Sequence, residues 1–238
     1  QEYLWKLYKS NIDDLSAISD GYPIMCLHLG DECNGNKHPD MLVSDRLSDQ
    51  VIIAEYNARP LLDMPNMQYF RQVVGTGAHN FGFGSSALLL CQTLIARYPH
   101  IDIKPLMHGL LSYSGVTVDF SHHGPGTGIR DWLKGNIARL YLRSLMSRAL
   151  KAGHIPPRLV LRGHYHTPVY ELLRECGYTS EIYVLPSFSM FNDHSTQVTQ
   201  SESEIAHGML VHEIENGEIV RTHELYQKID VRTVEVIP

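Results

Sequence analysis

Several things are scarce in this sequence, and each scarcity excludes a class of protein. Only four cysteines, Cys26, Cys33, Cys91 and Cys176, are scattered through 238 residues, and none forms a Cys-x-x-Cys pair. That spacing offers neither a disulfide framework nor a thiolate zinc site; it reads as free, mostly buried thiols in a reducing, cytoplasmic setting. Long apolar runs are missing too. The longest, Ala87-Leu88-Leu89-Leu90-Cys91, falls far short of the ~18–20 residues that span a bilayer, so no membrane is expected as partner. No charged-then-apolar leader opens the sequence, which gives no expectation of export. Positive charge is in deficit: 20 Lys and Arg against 26 Asp and Glu leave a formal net charge of −6. This argues against a nonspecific nucleic-acid coat protein, though not against a nuclease whose metal ions bring positive charge to the site. No repeat, low-complexity tract or linker divides the chain, so one α/β domain over residues 1–238 is expected.

Histidine, by contrast, is abundant: 14 residues, against 13 Tyr, 6 Phe and 2 Trp. It is the commonest metal ligand and titrates near neutrality, so position must separate surface scatter from function. Hydrophobic spacing places a helix from the start to about Ser19 and a buried strand from Ile24 to Leu29. A helix follows from Asp45 to Ala58, stopped by Pro60. Tyr69 to Val74 reads as a strand, and a buried helix capped by Ser85 or Ser86 reaches about Tyr98. Ile103 to Ser112 and Val116 to Phe120 read as a hairpin around Ser114-Gly115. An amphipathic helix covers Asp131 to Ala152, with Gly153 at its C-terminus. Arg158 to Leu161 is a strand, and the tail is β-rich, with Ile182 to Leu185, then Gly208 to Glu215 and Ile219 to His223 around Asn216-Gly217. Pairing is expected to be parallel early and antiparallel late.

Four strand-like runs end in a loop that sets a ligand-type residue beside glycine: Gly30-Asp31, Gly75-x-x-x-His79, His123-Gly124 and Gly163-His164-Tyr165-His166. Ligands of open α/β sheets bind outside the carboxyl ends of strands, so these loops are expected to converge at one edge of one sheet. Oxygen and imidazole ligands without thiolate suit Mn, Fe, Ni or Zn. Taken singly each is weak. A lone Gly-Asp is usually a turn, and His122-His123 reads equally as a loop accident. In Gly163-His164-Tyr165-His166, two histidines two apart face one way if the loop is extended. His28 reads as a satisfied core histidine. His38, His100, His154, His194 and His223 have no supporting context, and Trp5 and Trp132 read as core.

In order, these residues resemble the calcineurin-like metallophosphoesterase family, whose motifs run Asp-x-His, Gly-Asp, Gly-Asn-His, His-Gly and Gly-His-x-His. Gly30-Asp31 matches the second, Gly75-Thr76-Gly77-Ala78-His79 is a variant of the third, His123-Gly124 matches the fourth and Gly163-His164-Tyr165-His166 the fifth. The resemblance implies a four-layer sandwich of two mixed β-sheets flanked by helices. It also implies up to two divalent ions, with Asp31 bridging them, His123 and His164 on one, and His166 on the other. His79 would be the general acid that protonates the leaving-group oxygen. The implied activity is hydrolysis of a phosphate mono- or diester by metal-bound hydroxide, on a nucleotide, a nucleic-acid end or a small molecule. Thr76 stands where the family has a metal-binding Asn and is a poorer ligand, with Asn80 as its substitute. Arg162 reads as a phosphate contact or a strand-edge charge.

The first motif has no counterpart here. No Asp-x-His precedes Asp31, and the chain opens in what would be the helix after that motif. The expectation is a first strand upstream of Gln1, an N-terminally truncated domain, and weak or absent metal where only Asp31 and His166 remain. A non-catalytic binding or scaffold protein of the same fold is the alternative. The missing motif favours it, and the retained ligand set opposes it.

Overall fold

The computed structural model describes residues 2–37, 42–82, 85–126, 133–189 and 204–235. The elements run α1 (Glu2–Ser19), β1 (Ile24–His28), α2 (Leu47–Leu62), β2 (Met67–Val73), α3 (Ser85–Arg97), β3 (Asp102–Leu106), β4 (His108–Tyr113), β5 (Val116–Ser121), α4 (Asn136–Lys151), β6 (Leu159–Arg162), β7 (Val169–Glu175), β8 (Tyr178–Val184), β9 (Glu204–Glu215) and β10 (Glu218–Asp230). The expectations for His38, Trp132, His194 and the start of the helix at Asp131 fall outside the described residues.

Three sheets form among the described residues. The first is wholly parallel, in the order β1-β2-β3. The second, β4-β5-β6-β8-β7, is parallel through β5, β6 and β8, with antiparallel strands at both edges. β9 and β10 make a separate antiparallel ribbon. Parallel pairing is thus not confined to the early strands, and the first sheet is not mixed.

Three apolar clusters tie these elements together. Leu15, Leu62, Phe70, Leu90 and Leu94 join α1, α2 and α3 to the first sheet. Ala138, Leu142 and Met146 of α4 pack on Val160 and Ile182 of the second. Val73 from the first sheet meets Val118, Phe120 and Leu161 from the second. The layers therefore run helices, sheet, sheet, helix. The spacing behind this is visible in α3, whose buried Ala87, Leu90, Cys91 and Leu94 fall on one face. All four residues of β6 are buried, as a central strand covered on both faces requires. No described helix is long and apolar enough to cross a membrane.

Several boundaries differ from expectation. α2 runs through Pro60 to Leu62 rather than stopping before it. Burial of Leu62 in the core draws the last turn in, and Asp63 N–H closes it on the Arg59 carbonyl. The run Ile103 to Ser112 is two strands, β3 and β4, which belong to different sheets and are divided at Met107; periodicity carries no record of such a crossing. β7 was not anticipated, and α4 begins at Asn136. Trp5 is only half-buried and stacks on Tyr56. Of the free cysteines, Cys33 and Cys91 are buried, whereas Cys176 is exposed.

Candidate metal centre

The four predicted loops leave the carboxyl ends of β1, β2, β5 and β6, two strands from each sheet, where the sheets face one another. Hydrogen bonds lock them together. The Nδ1 of His122 bonds the Leu29 carbonyl oxygen, and the His122 carbonyl in turn accepts from Gly163 N–H at 3.0 Å. Asp31 Oδ1 accepts from the backbone N–H of Thr76 at 2.7 Å and from its hydroxyl at 3.2 Å.

This closeness explains the glycines. A Cβ on Gly30, whose φ is +101°, would lie 2.7 Å from His122 Nδ1 and 2.8 Å from Gly75 Cα. A Cβ on Gly75 would lie 2.0 Å from Asp31 Oδ1. Asp31, His164 and His166 themselves adopt left-handed backbone, with φ of +56°, +72° and +57°. Non-glycine residues rarely do so, and such strain concentrates at functional sites. The other described non-glycine residues of this kind, Asp20, Ser114, Cys176 and Asn216, all lie in turns between elements.

At the centre, Asp31 Oδ2 lies 3.0 Å from His122 Nε2, which lies 3.2 Å from His164 Nδ1. Nitrogen atoms of His122, His123 and His164 all fall within 4.8 Å of one another. His122 is buried, His164 half-buried and His123 exposed. The structure thus places His123 beside His164, and the histidine against Asp31 is His122. His166 does not join this group. The loop is not extended, since both its histidines are left-handed, so the alternation that would aim them together does not apply. His166 is half-buried nearby and feels the charges of Asp31, His122, His79 and His207.

His79 stands at the rim, its side chain 39% exposed, with Nε2 3.9 Å from Asp31 Oδ2 and Nδ1 3.2 Å from the Asn34 carbonyl. Thr76 orients Asp31. Asn80 has both ends of its amide engaged, donating to the Thr76 carbonyl at 2.8 Å and accepting from Ser86 Oγ at 2.6 Å. It holds the loop. Arg162 corrects an expectation: it is wholly buried, with its guanidinium on the Asp119 carboxylate, the Asp119 and Leu161 carbonyls and the Tyr141 hydroxyl. It props β6 against β5 and α4, and no donor is presented to a phosphate.

Electrostatics sort the protonation states. Burial alone would raise the Asp31 carboxyl, yet hydrogen bonding and charge from His122, with His79 and the Thr76 N–H, bring it down to about 2. Burial opposes a charged His122, but Asp31 outweighs it and the His122 pKa rises. Burial lowers His123, with His122 adding to the effect, and takes His164 down to about 4 with help from His122 and His123. Two imidazoles are therefore held neutral, the form that coordinates a metal.

Sequence reasoning passed over several residues that pack around this centre. The family resemblance gives no role to His122, although its place beside His123 is a signal. Glu32, next to Asp31, is raised by burial; its Oε2 accepts from Gln72 Nε2 at 3.0 Å. Gln72 Nε2 also lies 3.0 Å from His28 Nδ1, so His28 has a hydrogen-bond partner, as expected, but is half-buried. His207 on β9 is wholly buried, with Nδ1 on the Ser187 carbonyl at 3.2 Å and Nε2 without a hydrogen-bond partner. No sequence pattern marked it.

No protein-family profile and no curated protein sequence matches the chain. Among solved structures it is similar to the sulfate thiohydrolase SoxB of Thermus thermophilus in complex with glycerol, at 10% identity and a TM-score of 0.36. The match covers 94% of this chain and 42% of that one, so the chain spans less than half of that protein's length. At that TM-score the likeness decides neither the fold nor the reaction.

Proposed function

We propose that this chain is a metal-dependent phosphoesterase of the calcineurin-like kind. The observation that supports it most is the cluster of His122, His123 and His164, whose ring nitrogens lie within 4.8 Å of one another, with Asp31 Oδ2 3.0 Å from His122 Nε2. Ligand atoms about 2.0–2.2 Å from one divalent ion must sit about this far apart, and mixed oxygen and imidazole donors suit Mn, Fe, Ni or Zn. His122 takes the ligand place that the family resemblance gave to His123. Its Nδ1 can only donate to a carbonyl, which leaves Nε2 to the metal. His123 is the adjacent, exposed fourth donor, and a second ion would draw on Asp31 and His166.

A divalent ion at this centre supplies Lewis acidity toward a phosphoryl oxygen and toward a water. The chain's own residues do the rest. Thr76 fixes the Asp31 carboxylate, and Leu29 fixes the tautomer and plane of His122. His79, at the open rim, is placed to hand a proton to the leaving-group oxygen through Nε2 while Nδ1 stays on Asn34.

The test is hydrolysis of bis-p-nitrophenyl phosphate with Mn²⁺, beside metal titration by calorimetry. Turnover should require the ion and fall at least about a hundredfold in Asp31→Asn and His164→Ala. Turnover unchanged in both variants would sink the reading; metal bound tightly with no ester hydrolysed would favour the non-catalytic alternative.

A further inference from the structure

Helix α4 is strongly basic in an acidic protein. Over Asn136–Lys151 it carries Arg139, Arg143, Arg148 and Lys151 and no Asp or Glu, against the chain's net charge of −6. All four cations are exposed. Among the described residues none of their charged groups has a hydrogen-bond or ion-pair partner. Several cations elsewhere are engaged: Arg59 and Arg97 hold Glu55, Arg71 and Lys104 hold Asp102, Arg158 holds Glu181, and Arg162 holds Asp119, whereas α4 gathers four without a carboxylate on one helix. Like charges a turn apart, as at Arg139 and Arg143, destabilise a helix unless an anion answers them.

The cations spread over the exposed half of the helix: at about 100° per residue, Arg139 and Arg143 share one flank, Arg148 lies on the opposite flank, and Lys151 lies between. At 1.5 Å per residue, Arg139 to Lys151 covers about 18 Å of helix axis. Two hydroxyls fall between them: Ser144 and Ser147, with Arg148, Lys151 and Ala152, border a shallow cleft of about 500 Å³. The place of the helix matters as much as its charge. α4 connects β5 to β6, parallel neighbours, so its first turns lie at the sheet end that carries the histidines and its last turns at the other. Tyr141 touches the guanidinium of Arg162, the residue before Gly163-His164.

We propose that the exposed face of α4 docks the phosphate backbone of a nucleic-acid strand, so that the ester cleaved at the histidine centre belongs to a nucleic acid. This deepens the phosphoesterase reading and, for the cleavage, rests on it. A bilayer fits less well. The main apolar face of α4 (Ala138, Leu142, Met146) is buried on the second sheet, and within the helix only Ile137 and Leu140 remain as large exposed apolar residues. That is too little to insert into an interface. The face has no exposed aromatic ring, so binding should follow phosphates and not base identity.

The experiment is anisotropy of a labelled single strand of about 16 nucleotides with the whole chain. With four phosphate contacts, affinity should fall about fifty-fold between about 50 and 200 mM salt, and only about sevenfold in Arg143→Gln/Arg148→Gln. The double variant should bind the strand more weakly yet hydrolyse bis-p-nitrophenyl phosphate as wild type does, because neither residue touches the metal centre. Identical salt dependence in both proteins would overturn the proposal. So would binding to phosphatidylserine vesicles or polyglutamate without binding to the strand. Small-ester hydrolysis with no strand binding sinks the α4 proposal and leaves the phosphoesterase reading. Strand binding with no ester hydrolysed under any metal does the reverse, leaving α4 as a docking surface alone.

Discussion

His122 Nδ1 donates its proton to the carbonyl oxygen of Leu29, a residue 93 positions earlier in the chain, at 2.5 Å. A carbonyl has no proton to give, so this one contact fixes the tautomer and leaves Nε2 facing Asp31 and His164. Orientation of a ligand by its second nitrogen is the usual arrangement around bound metals. His122→Ala should therefore lower divalent-metal affinity at least about a hundredfold, and His123→Ala by less, since His123 is exposed and lacks such an anchor. Calorimetric titration of Mn²⁺ into both variants checks this. A larger loss at His123 would reverse the assignment of ligand and neighbour.

Metal binding should release a proton. In the metal-free protein Asp31 raises His122, so the pair holds a proton that an incoming cation must displace. Affinity should then weaken as pH falls, and the heat of binding should depend on the ionisation enthalpy of the buffer. The stability signs differ between the partners. The raised His122 stabilises the metal-free fold below its ordinary 6.5 and loses that effect as pH rises through its higher folded value. Asp31, brought down to about 2, stabilises above its ordinary 3.8 and loses that effect on acidification from 3.8 toward 2. The pair should therefore contribute most between about pH 4 and 6.5. Urea unfolding of wild type and Asp31→Asn across pH should show the two curves closest outside that window.

The Arg162 and Asp119 ion pair is buried and bound into a network with Tyr141 and His108. Asp119→Ala would strand a guanidinium with no exposure to water, at a cost of about 3–5 kcal/mol. Asp119→Leu with Arg162→Met should recover most of that loss, because replacing both charges removes the desolvation penalty. Denaturant titration measures each. If Asp119→Ala unfolded at the wild-type midpoint, the network would not be structural.

Gly75→Ala sets a methyl where Asp31 Oδ1 and its backbone nitrogen already sit, 2.0 and 2.4 Å from the new carbon. Overpacking of this kind costs about 1–3 kcal/mol, and here it must also push the carboxylate away from His122. Metal affinity should fall more than stability does. Gly77→Ala, which meets nothing within 4 Å, is the matched control and should leave both near wild type.

Much of the fold was legible because hydrophobic spacing reports local burial. α1, β1, α3 and the turn at Asn216-Gly217 lie close to where the spacing puts them. β7 went unseen because its burial does not alternate: Tyr170 and Arg174 are exposed beside buried Val169 and Leu173, with partly buried residues between. The Ile103 to Ser112 run reads as continuous because alternation is the same on both sides of Met107, while the change of sheet is a long-range event. At the centre, Asp31, His123 and His164 could be found from their loops, since strand ends and glycines are local signals.

The sequence by itself determined which residue types end the strands, and hence that carboxylate and imidazole loops would converge; that these strands belong to two sheets was decided by the tertiary structure. It could not decide which of two adjacent histidines turns inward, because that depends on the Leu29 carbonyl lying within reach of His122. Nor could it tell Arg162 as a phosphate contact from Arg162 as a buried strut, a choice made by Asp119 and Tyr141 on other elements. The basic exposed half of α4 was hidden in a chain of net negative charge. Charge is summed along a sequence, whereas a binding partner meets it one face at a time.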